Sequence, residues 1–182
     1  MRRRPKIGLA LGGGGARGIA HIGVLKVLKQ EKIPIDLIVG TSIGALVGAA
    51  FALNPDPEDL EGRLSKVLNP KEGGKAGLKL LGKVQRDDSV KSDLLRRIVR
   101  IAQKEMFVNF AIFRNALLSE DDLKECVEAF VADVNIEETL IPFGAVTADL
   151  ISGKQLILRQ GSIVRAVMAS CAVPGFMPAV SW

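Results

Sequence analysis

An α/β fold is predicted, a three-layer α/β/α arrangement around a mainly parallel central sheet, and three observations predict it. Two short, predominantly apolar runs, residues 7–11 and 35–39, have the length and hydrophobicity of strands buried within a parallel sheet. Each gives way through a glycine-containing turn to a longer helix-forming stretch. The resulting strand–helix–strand–helix order implies right-handed crossovers and a sheet covered on both faces.

The run at 7–11 is bounded by glycines and reads as the first strand. Residues 18–30 follow as a helix, with Ile19, Ile22, Leu25, Val27 and Leu28 supplying its apolar faces. Pro34 resets the chain for the second strand. A second helix runs from Ser42 to about residue 53, where Asn54-Pro55 stops it. Residues 56–68 read as a third helix, begun by Pro57 and ended by Asn69-Pro70. Residues 71–83, rich in Gly and Lys, read as a mobile loop. Residues 89–107 read as an amphipathic helix with Val90, Leu94, Ile98 and Ile101 on one face. Ser119 is the expected N-cap of a helix reaching about residue 131. A strand at 143–150 turns at Ser152-Gly153 and pairs with 155–159, and Ser162 caps a last helix through about residue 170.

Composition bounds the function. The chain has 182 residues, enough for one domain over 1–182, and 48% of them are hydrophobic, which excludes bulk disorder. A net charge of +5 allows attraction to anionic surfaces without demanding it. With seven Phe, one Trp and no Tyr there are few platforms for stacking bases, so no nucleic-acid partner is expected. Cys126 and Cys171 stand alone, without metal-ligand spacing, and read as reduced thiols; no metal and no cofactor are expected. The basic start Arg2-Arg3-Arg4 precedes an apolar run that dissolves into glycines without a cleavage region, so export is not expected and the location reads as cytoplasmic.

The chemistry concentrates in two turns. Gly40-Thr41-Ser42-Ile43-Gly44 places one serine in G-x-S-x-G between an apolar strand and an apolar helix. Such a turn lifts the hydroxyl clear of the backbone, and the flanking Gly40 and Gly44 avoid collision across it. The helix N-terminus adds partial positive charge where negative charge develops during acyl transfer. The bare pattern also recurs as a tight turn holding a serine; its placement here favours a nucleophile. The second turn, Gly12-Gly13-Gly14-Gly15-Ala16-Arg17-Gly18, joins the first strand to its helix, where backbone N–H groups can converge on an anion.

Two readings compete for the glycine loop. Gly13, Gly15 and Gly18 satisfy G-x-G-x-x-G, but a dinucleotide site also needs an acidic residue at the far end of the second strand. Asp36 stands at the start of that strand, and Gly40-Thr41-Ser42 occupies its end. An oxyanion hole explains both turns, because both leave the carboxyl ends of parallel strands and so share one edge of the sheet.

At this point the chain resembles the patatin-like phospholipases, serine acyl hydrolases that act through a Ser–Asp dyad. The resemblance is carried by the glycine loop with Ala20-His21-Ile22-Gly23-Val24-Leu25, and by Gly40-Thr41-Ser42-Ile43-Gly44. It continues in Thr147-Ala148-Asp149-Leu150 and in Ala169-Ser170-Cys171-Ala172-Val173-Pro174-Gly175-Phe176. A divergent region at about 54–136, expected to form a helical cap, separates these blocks. The resemblance implies Ser42 as nucleophile, Gly13, Gly14 and Gly15 as the oxyanion loop, and Arg17 as the residue that holds the loop in shape, with Gly18, Gly40 and Gly44 supporting the motifs. It implies a lipid or small ester as substrate.

The family's base is an Asp in an Asp-Gly turn soon after the Pro-Gly block. This sequence has no Asp-Gly dipeptide and nothing acidic after Asp149, which matches a different block. The only histidine, His21, lies in the helix after the glycine loop, where a structural role is expected. The ending Ala179-Val180-Ser181-Trp182 reads as the middle of an element, so the chain is expected to be C-terminally incomplete and impaired in ester hydrolysis, with an apolar surface left uncovered. Lys75, Lys79, Lys83, Lys91, Arg96, Arg97 and Arg100 give the cap a basic cast: either a solvated face or a peripheral contact with anionic lipid at the inner membrane surface. The alternative to an enzyme is a catalytically impaired lipid-binding or regulatory module.

Overall fold

A computed structural model describes residues 4–68, 119–174 and 177–182. In it β1 (Gly8–Leu11), β2 (Leu37–Thr41), β3 (Phe143–Ala148) and β4 (Gln155–Leu158) form one sheet in that order. The first three strands are parallel and β4 returns antiparallel to β3. The architecture is the expected α/β class, a mainly parallel sheet with helices on both sides.

The helices are α1 (Ala20–Gln30), α2 (Ile43–Leu53), α3 (Pro57–Leu68), α4 (Glu120–Glu128) and α5 (Ile163–Cys171). The central one is α2, which packs on β1, β2 and β3 and has every residue from Gly44 to Ala52 buried. Its sequence is apolar all round, as a helix without a solvent face must be. Small residues let it sit close: a Cβ on Gly48 would stand 2.9 Å from Ile38 Cγ2 and 3.3 Å from both Leu11 Cδ1 and Phe143 Cε2. Those three strand residues are themselves buried, and burying a side chain such as Ile38 contributes about 1.5–3 kcal/mol. Around α2, the helix α5 packs against β3, α2 and α4, and α3 packs against α1 and α2.

Several boundaries differ from the sequence reading, each for a local reason. β2 begins two residues late because the Asp36 carboxylate takes the Ile7 N–H at 2.8 Å, a donor that a ladder carbonyl would otherwise accept. The first helix is preceded by a tighter 3-10 turn at Gly15–Ile19, where the glycine loop winds into it. β3 ends at Ala148 because Asp149 already folds into the turn to β4. The Ser119 cap is present as a capping box: its hydroxyl accepts the Asp122 N–H at 3.1 Å and the Asp122 carboxylate accepts the Ser119 N–H. Ser162 likewise accepts the Arg165 N–H at 3.2 Å.

The loop expected at 71–83, the helix at 89–107 and the basic residues between Lys75 and Arg100 lie outside the described residues. The C-terminal residues, read from the sequence as the middle of an element, are irregular. Residues 178–182 are neither helix nor strand; Pro178 lacks a backbone donor, Val180 packs on the core, and Trp182 lies against Gly161. Among the described residues no helix is long and apolar enough to cross a membrane.

Candidate active site

Ser42 sits at the junction of β2 and α2 with φ 54° and ψ −123°, a left-handed conformation that a non-glycine residue adopts only at a cost of about 1–3 kcal/mol. Its carbonyl already belongs to the helix, accepting the N–H groups of Ala45 at 2.8 Å and Leu46 at 3.0 Å. The flanking glycines are required by close approach. A Cβ on Gly40 would lie 2.3 Å from the Gly44 carbonyl oxygen, and one on Gly44 would lie 2.2 Å from the Leu11 carbonyl oxygen. The G-x-S-x-G turn is therefore a backbone-to-backbone contact between the first turn of α2 and the ends of two strands.

The glycine loop meets this turn directly. Leu11 pairs with Gly40, so the loop leaves β1 on the sheet edge where β2 delivers Ser42. A Cβ built on Gly13 stands 3.5 Å from Ser42 Cβ and 3.5 Å from the Thr41 carbonyl oxygen. Gly14 (φ 153°) and Gly15 (φ 55°) both take positive φ, which turns the loop sharply into its 3-10 segment. Arg17 contributes through its backbone, donating its N–H to the Gly14 carbonyl at 3.3 Å. Gly18 lets the segment close on α2, since a Cβ there would lie 2.1 Å from Ile43 Cγ2. Thus Gly13 lies beside Ser42, while Gly14, Gly15, Arg17 and Gly18 shape the approach.

Two neighbours of Ser42 escaped the sequence reading. The Ser170 hydroxyl, in the last turn of α5, accepts the Ser42 N–H at 2.8 Å and donates to the Val146 carbonyl of β3 at 2.5 Å. Beside it the Cys171 thiol is pushed up to about 11, chiefly by burial, with the Ser42 side chain acting in the opposite direction. A thiol in that state is no proton acceptor near neutral pH. The only available signal was the pair Ser170-Cys171 at the end of the last helix, where no periodicity marks a polar contact.

His21, Asp149 and Asp36 are each engaged elsewhere. His21 Nε2 lies 2.9 Å from the Gly12 carbonyl, which can only accept, so the ring donates there and anchors the start of the loop. Asp149 accepts from the Ser152 hydroxyl at 2.5 Å and the Ile151 N–H at 3.0 Å, and its carboxyl is held below the usual range by these bonds. Asp36 accepts from Arg4 at 2.7 Å and from the Ile7 N–H, which together hold it down at about 2. It precedes β2, some five residues before Thr41, which at about 3.3 Å per residue puts it roughly 16 Å from the site edge. Asp36 therefore does not fill the ribose-binding role that a dinucleotide site requires.

Asp36 makes an acid-stability prediction. Its pKa is depressed, so its contribution is fully present above the unfolded value near 4 and is lost as pH falls through about 2. Asp36→Asn is expected to lower the melting temperature at pH 6 and to narrow its gap from the parent as pH drops from 4 to 2. A gap of constant size across that range would contradict the assignment.

Comparisons with known proteins follow the same lines. A family model described as Patatin-like phospholipase matches residues 9–182. A putative patatin-like phospholipase domain-containing protein of Caenorhabditis elegans is 30% identical over 174 residues, 96% of this chain and 13% of that protein. An uncharacterized NTE family protein of Mycobacterium bovis is 33% identical over 96% of this chain and 24% of its own length, and another from the same organism is 32% identical over 94% and 38%. The chain thus spans less than two fifths of these curated relatives. Among solved structures, VipD of Legionella pneumophila superposes with a TM-score of 0.53 at 16% identity, covering 95% of this chain and 43% of that one, a likeness of fold.

Proposed function

Because the chain belongs to the patatin-like phospholipase family, we propose that it is a serine acyl hydrolase for carboxylic esters of lipids, with Ser42 as the nucleophile. The observation that carries this reading is the strained Ser42 at a strand-to-helix junction, with Gly13 of the loop against it. In the proposed reaction Ser42 Oγ attacks the ester carbonyl carbon, its proton passes to a base, and the alcohol leaves. Water then releases the acid from the acyl-enzyme. The N–H groups of Gly13, Gly14 and Gly15 are assigned to the developing oxyanion, a contribution of about 3–4 kcal/mol per well-placed donor. Arg17, Gly18, Gly40 and Gly44 support that geometry.

In this proposal the described residues do not supply the proton acceptor of the dyad. Asp36 and Asp149 are engaged elsewhere, and burial keeps the Cys171 thiol, next to Ser170, in its protonated form. That observation favours, as a second reading, a lipid-binding module with impaired catalysis. Fluorophosphonate labelling with peptide mapping is the test. The expected result is a single phosphonylated residue, Ser42, with labelling lost in Ser42→Ala, while turnover of a short-chain nitrophenyl ester by the 182-residue chain stays weak. Labelling elsewhere, or unaffected by Ser42→Ala, would overturn the nucleophile. Robust turnover that vanishes in Ser42→Ala would uphold Ser42 and overturn the missing base.

A further inference from the structure

We infer that Ser170 is a positioning residue whose hydroxyl holds the peptide preceding Ser42 and so keeps the nucleophile in its strained, reactive conformation. The inference rests on Ser42 being the nucleophile. A residue at φ 54° and ψ −123° relaxes unless the peptide planes on both sides are held. On the C-terminal side the Ser42 carbonyl is fixed by the Ala45 and Leu46 N–H groups of its own helix. On the N-terminal side the Ser42 N–H is given to Ser170 Oγ, 128 residues away in sequence.

The hydroxyl's single proton makes this bond directional. It is donated to the Val146 carbonyl at 2.5 Å, which leaves the oxygen's lone pairs facing the Ser42 N–H at 2.8 Å. One side chain therefore links α5, the C-terminal end of β3 and the turn. A neighbouring bond separates this role from simple docking of the helix. Thr147 Oγ1 donates to the Ala169 carbonyl at 2.9 Å, fastening the same end of α5 to the same strand without touching Ser42.

The experiment compares fluorophosphonate labelling at Ser42, as maximal rate and half-saturating probe concentration, in the parent protein, Ser170→Ala, Ser170→Thr and Thr147→Val. Melting temperatures are recorded alongside and rates are normalised to folded protein. Ser170→Ala is expected to lower the maximal rate tenfold or more with the half-saturating concentration unchanged. Ser170→Thr, which keeps the hydroxyl, should recover most of the rate, and Thr147→Val should stay within threefold of the parent. Should Ser170→Ala not fold, Ser170→Cys replaces it under the same threshold. A parent-like rate in Ser170→Ala, an equal loss in Thr147→Val, or no recovery in Ser170→Thr would each overturn the inference. A parent that does not label at Ser42 overturns the nucleophile itself and the inference with it, and is recognised because the failure precedes any substitution at Ser170.

Discussion

Ser42→Gly is expected to melt higher than Ser42→Ala while both lose covalent capture entirely. Ser42 occupies φ 54° and ψ −123°, a region open to glycine and costly for any residue with a Cβ. Alanine keeps that cost and glycine removes it, a relief of about 1–3 kcal/mol. Glycine gives back about 0.4–1 kcal/mol through the greater freedom of its unfolded chain. The remaining difference, about 1 kcal/mol, corresponds to roughly 2–4 °C in a domain of this size. Because neither variant carries the hydroxyl, the stability difference reads the backbone strain separately from the chemistry. Thermal melts of the two variants beside the parent, with mass spectrometry after fluorophosphonate treatment, decide it. If Ser42→Gly melts at or below Ser42→Ala, the strain assigned to this turn is not there.

The sharp turn that carries this strain was legible in the sequence, and the reason is physical. A G-x-S-x-G turn bounded by an apolar strand and an apolar helix leaves few ways to join them, and the 2.3 Å and 2.2 Å approaches at Gly40 and Gly44 are the steric form of that restriction. The parallel order of β1, β2 and β3 was legible for a related reason, since helix-length stretches between short apolar runs imply crossovers. The end of α1 at Gln30 was legible as well, but the reversal that follows it was not. The chain reverses there through Lys32 at φ 54°, with the Ile33 N–H reaching the Leu28 carbonyl at 2.9 Å, and a lysine carries no signal for that conformation. The strand boundary at Leu37 depended on the Asp36 side chain capturing the Ile7 N–H, a competition that hydropathy cannot register. Ser170 was invisible as a partner of Ser42 for the same reason. A single hydrogen bond across 128 residues has no period and no composition, whereas burial of α2 has both.

Gly44→Ala carries the largest expected loss of stability, and Gly62→Ala supplies its control. Both glycines are helical, in α2 and α3, and on propensity alone either substitution should stabilise by about 0.8–1 kcal/mol. Their surroundings reverse the sign for one of them. At Gly62 a Cβ meets nothing within 4 Å, so a gain of about 0.5–1 kcal/mol is expected there. At Gly44 the added Cβ would lie 2.2 Å from the Leu11 carbonyl oxygen, 2.6 Å from its carbon and 2.7 Å from the Gly12 carbonyl oxygen. These are backbone atoms of β1 and of the loop, so no rotamer relieves the clash and α2 must draw away from the sheet. A cost of about 3 kcal/mol or more follows, at or beyond the upper end of ordinary overpacking. The same movement separates the glycine loop from Ser42, so any folded fraction of Gly44→Ala should also lose capture at Ser42. Denaturant unfolding of the two variants reads the energies directly. A Gly44→Ala protein as stable as Gly62→Ala would mean that the first turn of α2 does not rest on the end of β1, and the juxtaposition of loop and serine would fall with it.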